Sequence, residues 1–203
     1  MNSFLKKLFD IIAIDTEYLN LYLTSDEQQY LNNTLKSIED LKNDFYTDSK
    51  GQNLEILLHF LFSHKEDITH IWENNSKKEI LLKLYTSSTI SGNYECFHFD
   101  LSKFNQTYTS SGQTLTLYRI GRKEEHKDSL GNSWSKSISG LKNYAQSSSI
   151  KEEENRPVFV IKIYDSEVLS EGKSIEEELI LKKGFKFNEL KILDIGERSQ
   201  IFV

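Results

Sequence analysis

Three consecutive glutamates precede an apolar run in the segment KSIEEELILKKGFKF (residues 173–187). In an extended chain, residues two positions apart share a face, so Glu176 and Glu178 would point to one cleft, while Glu177 would face away and be dispensable. In the alternative, Ser174 and Glu177 form a capping box that opens a short helix, and the glutamates are a solvated helix end without a chemical role. Local signals leave both interpretations open.

Three segments upstream of the glutamates favour the chemical interpretation. The chain contains LYRIGR with Arg119, then GNSWSKSISGLKNYA with Ser135 after Trp134, and then the strand-like VFVIKIYD. This order resembles the arginine–serine–glutamate branch of the ADP-ribosyltransferase superfamily. In that branch a strand ends in a Tyr-Arg pair, a second strand carries a serine beside an aromatic and precedes a helix, and a Glu-x-Glu motif follows. Glu176 and Glu178 match that last motif, and the resemblance covers about half the chain.

The resemblance implies roles in cleaving the bond between nicotinamide and ribose in NAD⁺. That reaction passes through an oxocarbenium-like state with positive charge on the ribose. Glu178 would stabilise this charge, an effect worth roughly 3 to 4 kcal/mol for a well-placed group, and would hold a ribose hydroxyl. Glu176 would orient or deprotonate the acceptor nucleophile. Arg119 would hold the dinucleotide through its phosphate or ribose, because a planar guanidinium matches such oxygens.

Three more residues complete the site that the resemblance implies. Ser135 would brace the site by hydrogen bonding, with the carboxylate of Glu178 as its expected partner. Trp134 and Tyr144 are candidates for stacking against the nicotinamide ring, although aromatics at such spacing are more often core residues.

Two of the matches have competing residues in the sequence. The glycine that commonly follows the motif arginine directly comes one position later here, at Gly121, so Arg122 is a rival of Arg119. Ser133 and Ser137 are alternatives to Ser135 as the motif serine.

The sequence pattern changes from helical to strand-like after the first 85 or so residues. Apolar residues recur every three to four positions from residue 30 to residue 45, and residues 53–72 form a second helical segment. Short segments rich in β-branched and aromatic residues follow, namely YECFHFDL, TLTLYRI, RPVFVIKIYD and FKFNELKILDI, with one helix near residues 140–146. We therefore expect an α+β protein with a helical N-terminal region (1–88) and a catalytic region (89–203). The resemblance implies that the latter is a split, mainly antiparallel β-sandwich that holds NAD⁺ in its cleft.

Composition narrows the range of functions. A net charge of −6 disfavours broad electrostatic binding to nucleic acid. The single cysteine, Cys96, and the scattered histidines show neither HExxH nor CxxC spacing, so no metal is expected. There is no GxGxxG segment and no run of the roughly 18 to 20 apolar residues that span a bilayer. Asp10 and Asp15 interrupt the short apolar stretch at the start, so we do not expect a signal peptide. These features favour a cytoplasmic protein without a membrane partner.

We therefore expect a mono-ADP-ribosyltransferase that moves ADP-ribose from NAD⁺ to a macromolecular acceptor and releases nicotinamide. The resemblance makes a protein arginine the default acceptor and leaves nucleic acid open. It also implies a bacterial toxin, a defence or conflict effector, or a phage-encoded modifier, acting in the bacterial cytosol or in a target cell. Such a role would bring a cognate inhibitor or antitoxin as a partner. The alternatives are an NAD⁺ glycohydrolase, in which water replaces the acceptor, and a non-enzymatic protein-interaction module.

Overall fold

The chain forms two compact units, Met1–Phe104 and Asn105–Val203, in a computed structural model. The structure describes residues 1–46, 52–74, 78–87, 96–123, 125–148 and 156–202. The predicted boundary between residues 88 and 89 lies outside the described residues.

The first unit is built from helices around an apolar core. Its helices are α1 (Ser3–Ile11), α2 (Thr16–Tyr22), α3 (Ser25–Thr34), α4 (Ile38–Lys42), α5 (Gln52–Ser63), α6 (Lys65–Asn74) and α7 (Lys78–Tyr85). The leucines and phenylalanines with helical spacing fill this core, with Leu5, Phe9 and Phe60 fully buried. Among the described residues, no helix is both long and apolar enough to cross a bilayer.

Three details of the predicted N-terminal elements are wrong. The apolar stripe from residue 30 to residue 45 belongs to two helices, because Ser37 caps α4 in a box with Asp40. The segment 53–72 is likewise divided, at His64, into α5 and α6. The described part of YECFHFDL is not a strand, since Phe99 makes only an isolated bridge to Ile14.

The second unit contains a six-stranded antiparallel sheet in the order β4-β5-β2-β1-β3-β6. Its strands are β1 (Thr114–Ile120), β2 (Ser133–Ser135), β3 (Val158–Tyr164), β4 (Val168–Glu171), β5 (Glu178–Leu181) and β6 (Glu189–Ile192). β1 pairs with β3 along its whole length, whereas it meets β2 through the single pair Tyr118 and Ser135. The sheet therefore consists of two three-stranded halves, β4-β5-β2 and β1-β3-β6, with a narrow joint between them.

The two faces of this sheet are covered differently. Trp134, Phe159 and Leu179 belong to an apolar cluster on one face. Helix α8 (Ile138–Ser147) packs Leu141 and Ala145 against the other face, and α9 (Ile195–Phe202) contributes to the same cluster. The α+β class and the helix near residues 140–146 are confirmed, while the more specific ADP-ribosyltransferase-like sandwich stays a prediction.

A buried carboxylate fixes the end of β3. Asp165 is completely inaccessible, and its two oxygens accept hydrogen bonds from the Ser110 hydroxyl (2.5 Å), the Ser111 N–H (2.6 Å) and the Gly112 N–H (3.1 Å). The Ser110 hydroxyl, followed by the Ser111 N–H, holds the pKa of Asp165 far below its ordinary value of 3.8. This carboxylate therefore ties the segment that leads into β1 to the turn after β3.

Asp165→Asn should destabilise the second unit, because the amide directs an NH₂ group at donors that need an acceptor. Since the folded-state pKa is lowered, the stabilisation is fully present above the unfolded-state pKa and is lost as the pH falls from about 3.8 toward the folded-state value. Urea unfolding of both proteins should show a stability difference near neutral pH that shrinks below about pH 4. A difference that is absent, or constant with pH, would count against this role.

Candidate functional site

The glutamate segment forms a tight turn that leads into a strand. Ser174–Glu176 is a single 3-10 turn, Glu177 has the left-handed backbone conformation (φ 46°, ψ 41°), and Glu178 begins β5. β5 lies between β2 and β4, so its backbone groups are satisfied by strand pairing on both sides. The capped helix over this segment is therefore wrong, and the extended interpretation holds from Glu178 onward.

Glu178 is a buried carboxylate held by two donors. Only 8% of the residue is exposed. Its Oε1 accepts a short hydrogen bond from the Ser133 hydroxyl, and its Oε2 accepts one from the Lys173 N–H at 2.8 Å. A Cβ atom at Gly172 would overlap this carboxylate, so the glycine leaves the space that the side chain occupies. Both oxygens are thus oriented by neighbours on β2 and in the loop before the turn.

The serine that braces Glu178 is Ser133, so the expected contact from Ser135 is wrong. Ser135 is the backbone partner of Glu178 in the β2–β5 register, and it lines the same cleft. Ser137 caps α8, donating to Glu177 at 2.7 Å and accepting from an N–H of the helix. The three candidate serines therefore have three separate roles, set by their positions along β2 and at the start of α8.

Glu176 is the second buried carboxylate of the cleft. Its exposed fraction is 4%, and its Oε1 accepts a hydrogen bond from the Ser147 hydroxyl at 2.9 Å. The Lys173 ammonium lies 3.7 Å from the same oxygen. Glu176 and Glu178 line one narrow cleft with Tyr118, Leu141 and Tyr144 from β1 and α8. The two glutamates thus share a cleft, and the turn at Glu176 and Glu177, rather than alternation along a strand, brings them together.

Glu177 turns away from these two carboxylates, but it is not without contacts. In addition to the Ser137 hydroxyl bound by its side chain, its carbonyl accepts the Lys136 N–H at 3.0 Å. Glu177 therefore fastens the turn to the segment between β2 and α8, and its expected dispensability is not supported.

Arg119 occupies the end of β1 and forms an ion pair. Its Nε and Nη2 donate to the two oxygens of Glu125 at 2.8 and 3.1 Å, and its Nη1 donates to the Ser133 carbonyl at 2.8 Å. The side chains of Arg119 and Glu125 are 11% and 2% exposed. Burial by itself would raise the pKa of the Glu125 carboxyl, but the Arg119 guanidinium outweighs it, and the net pKa lies below its ordinary value of 4.5. This pair is therefore charged across the neutral pH range.

Strand alternation points the side chains of Arg119 and Glu178 to opposite faces of the sheet, but Arg119 is also among the residues that line the cleft, so its contact with the dinucleotide stays a prediction. Arg119 is in register with Phe159, whose ring lies in the cluster around Trp134. Glu178 precedes Leu179, which belongs to that same cluster, so the Glu178 side chain points to the opposite face, toward α8. Arg119 is linked to Glu178 through Ser133, whose carbonyl it binds and whose hydroxyl binds the carboxylate.

The two aromatic candidates have different surroundings. The Trp134 ring is 1% exposed, packs edge-on against Phe185 with ring centroids 6.0 Å apart, and donates its indole N–H to the Gly131 carbonyl at 2.8 Å. The ring packs in the core, and Trp134 is also among the residues that line the cleft, so its stacking against nicotinamide stays a prediction. Tyr144 is only partly buried and lines the cleft, so its role as a stacking residue stays a prediction.

Several residues of the site give only weak signals in the sequence. Glu125 lies in the charged stretch RKEEHK, which has the composition of a solvated loop. Arg119 leaves no room for a Cβ atom at Gly131, and Glu178 leaves none at Gly172. In the sequence, the one local sign of this crowding is a glycine near a charged motif. Lys173 is part of the glutamate segment itself, but its two contacts depend on the turn.

Comparisons with protein-family models, with curated proteins and with solved structures find no match to this chain. Within the ranges that the structure describes, no group of three or more histidine, cysteine, aspartate or glutamate side chains is arranged to hold a metal ion. The functional interpretation therefore depends on the motif residues and on the geometry of the cleft.

Ser133→Ala should destabilise the second unit by about 1.5 to 3 kcal/mol, because it removes a hydrogen bond to a buried charged carboxylate. Ser135→Ala, two positions along the same short strand and on the same face, is the matched control and should cost less. Chemical denaturation of the two variants measures the difference. Equal losses would show that the Ser133 hydroxyl does not stabilise Glu178.

Trp134→Phe should keep the ring position in the core while losing the hydrogen bond to the Gly131 carbonyl, at a cost of about 1 to 3 kcal/mol. Thermal unfolding followed by circular dichroism measures this loss. A variant as stable as the parent chain would contradict the structural role assigned to the indole.

Proposed function

We propose that this chain is an NAD⁺-dependent mono-ADP-ribosyltransferase that transfers ADP-ribose to a macromolecular acceptor and releases nicotinamide. The observation that carries the proposal is the pair of buried carboxylates, Glu176 and Glu178, in one cleft. The arginine and serine motifs that resemble those of the family lie on β1 and β2, and β2 pairs with the strand that Glu178 begins. Ser133 connects the two motifs to the glutamate by direct contacts.

Glu178 suits the role of the charge-stabilising carboxylate. Breaking the bond between nicotinamide and ribose leaves positive charge on the ribose, and a fixed carboxylate beside that sugar stabilises the charge. Ser133 and the Lys173 N–H hold the Glu178 oxygens, and no cation from the described part of the chain makes a hydrogen bond to them. Its negative charge therefore remains available for the substrate.

Glu176 suits the role of the group that meets the acceptor nucleophile. It lies beside Glu178 in the cleft, and a carboxylate there can accept a proton from, or orient, an incoming guanidinium or hydroxyl. A protein arginine is the acceptor we favour, with nucleic acid as the other outcome of the test below. In this proposal the chain acts as a toxin or conflict effector, and its acceptor is sought in a bacterial lysate.

The cleft must widen before NAD⁺ can enter it. The space between the cleft walls is hardly larger than a water molecule needs, so side chains at the mouth must move for the nicotinamide ribose to approach Glu178. Tyr144 is partly buried and lines this cleft, so it is a candidate for contact with the nicotinamide ring.

One observation favours an NAD⁺ glycohydrolase as the second candidate. Glu176 already contacts the Ser147 hydroxyl and lies 3.7 Å from the Lys173 ammonium. With these contacts in place, a small acceptor such as water would reach Glu176 more easily than a side chain would. The non-enzymatic interaction module predicted a helix opened by the glutamates, which form a 3-10 turn and a strand instead. Partner binding by the N-terminal helices stays a prediction.

Glu178→Gln should lower both label transfer and nicotinamide release by about 10²- to 10³-fold, as expected for one preorganised electrostatic group. Glu176→Gln should abolish transfer to the acceptor while leaving hydrolysis of NAD⁺ largely intact. Adenine-labelled NAD⁺ in bacterial lysate, followed by protease or nuclease treatment, measures transfer and identifies the acceptor class.

Glu189→Gln is the matched control and should retain full activity. Glu189 is an exposed glutamate on β6 that pairs with Lys162 of β3. Release of nicotinamide without any labelled macromolecule would favour the glycohydrolase. An unmodified chain that neither labels a macromolecule nor consumes NAD⁺ would refute both enzymatic proposals.

A further inference from the structure

We propose that Glu125 is a positioning residue for Glu178, acting through Arg119 and Ser133. Its role as a positioning residue in catalysis rests on the function proposed above, whereas its influence on the Glu178 side chain does not depend on that function. The family resemblance assigns Glu125 no role, and it lies in a loop whose sequence has the composition of a solvated segment.

Glu125 accepts four hydrogen bonds in a nearly inaccessible position. Its Oε1 receives the Arg119 Nε–H at 2.8 Å and the Gly131 N–H at 2.7 Å, while its Oε2 receives the Arg119 Nη2–H at 3.1 Å and the Arg122 N–H at 3.0 Å. Only a carboxylate can accept at both oxygens. In a glutamine the NH₂ group would face two of these donors, so the charge-neutral isostere disrupts the arrangement.

These bonds orient the guanidinium of Arg119. With its Nε and Nη2 held by Glu125, the planar guanidinium of Arg119 places its Nη1 2.8 Å from the Ser133 carbonyl, to which it donates. A Cβ atom at Gly131 would overlap the guanidinium, so the loop also closes over Arg119. The pair therefore fixes where the backbone of β2 lies at Ser133.

Ser133 links the Arg119–Glu125 pair to the other face of the sheet. Its carbonyl is bound by Arg119, and its side-chain hydroxyl donates to Glu178 on the side of α8. β2 is only three residues long and has a single residue pair with β1, so backbone pairing alone does little to fix Ser133 relative to β1. The geometry therefore assigns Glu125 and Arg119 the task of holding the hydroxyl that orients Glu178.

The kinetic test compares Glu125→Gln with the exposed control Glu189→Gln. If wild type releases nicotinamide, Glu125→Gln should lower kcat roughly 10- to 100-fold, since misplacing a catalytic group by about 1 Å has an effect of that order. The KM for NAD⁺ should change little, because Glu125 does not line the cleft. Circular dichroism and thermal unfolding establish that the variant is folded.

A second readout works whether or not the chain is an enzyme. Glutamate labelled with ¹³C at Cδ gives a carboxyl resonance for Glu178, which is assigned by its loss in Glu178→Gln. Glu125→Gln should shift this resonance in the same direction as Ser133→Ala, and Glu189→Gln should leave it in place. If Glu125→Gln does not fold, Arg119→Lys replaces it, because lysine keeps the charge opposite Glu125 but lacks the fork that reaches Ser133.

The outcomes separate the two proposals. A shifted Glu178 resonance in a chain that never consumes NAD⁺ supports the positioning of Glu178 and refutes the enzymatic function. An active wild type whose Glu125→Gln variant keeps both its kcat and its Glu178 resonance overturns the role of Glu125 and leaves the enzymatic function standing.

Discussion

The pairing of β1 with β2 is the constraint on which the second unit depends. Only one residue pair joins the two halves of the sheet there, so side-chain hydrogen bonds add contacts that the short backbone ladder does not make. The Arg119–Glu125 ion pair adds a charged hydrogen bond to the Ser133 carbonyl, and the Trp134 indole fixes the preceding loop at Gly131. Removing one partner of such a buried pair costs about 3 to 5 kcal/mol, because the other charge is left without compensation. The same contacts therefore stabilise the centre of the sheet and define the position of the glutamate cleft.

The two glutamates of the cleft differ in their partners. Glu178 is held by a hydroxyl and a backbone N–H, which fix the orientation of its carboxylate. Glu176 has a hydroxyl partner and a nearby ammonium, that of Lys173. Lys173 thus contacts one carboxylate through its backbone and approaches the other through its side chain. The chemical difference between the two glutamates arises from this one residue and from the turn that follows it.

The sequence predicted the classes of element better than their contacts. The α+β class, the strands TLTLYRI and VFVIKIY and helix α8 follow from periodicity, which depends on neighbours along the chain. The burial of Trp134 was also within reach, because alternation along β2 places it on the face opposite Ser133 and Ser135. The division of the long N-terminal stripe was signalled by Ser37 and Asp40.

The hydrogen-bond partners of the site residues could not be predicted from periodicity along the chain. That Ser133 rather than Ser135 binds Glu178 depends on the directions of side chains across two strands that are 45 residues apart in the chain. The burial of Glu125 depends on a loop that folds back over Arg119, and no periodic pattern describes such a loop. Single charges are seldom buried, and Glu125 is an exception because a second charge and two backbone N–H groups meet at its carboxylate.

The left-handed conformation of Glu177 sets the separation of the two carboxylates. A residue with a Cβ atom adopts this conformation at a cost of roughly 1 to 2 kcal/mol, which the contacts with Ser137 and Lys136 help to offset. Glycine, asparagine or aspartate would hold the same turn with less strain, whereas valine or isoleucine would oppose it. In chains that share this turn, the middle position of the Glu-x-Glu motif is therefore restricted by its backbone. A valine or isoleucine at that position would oppose the turn and thereby change the distance between the two carboxylates.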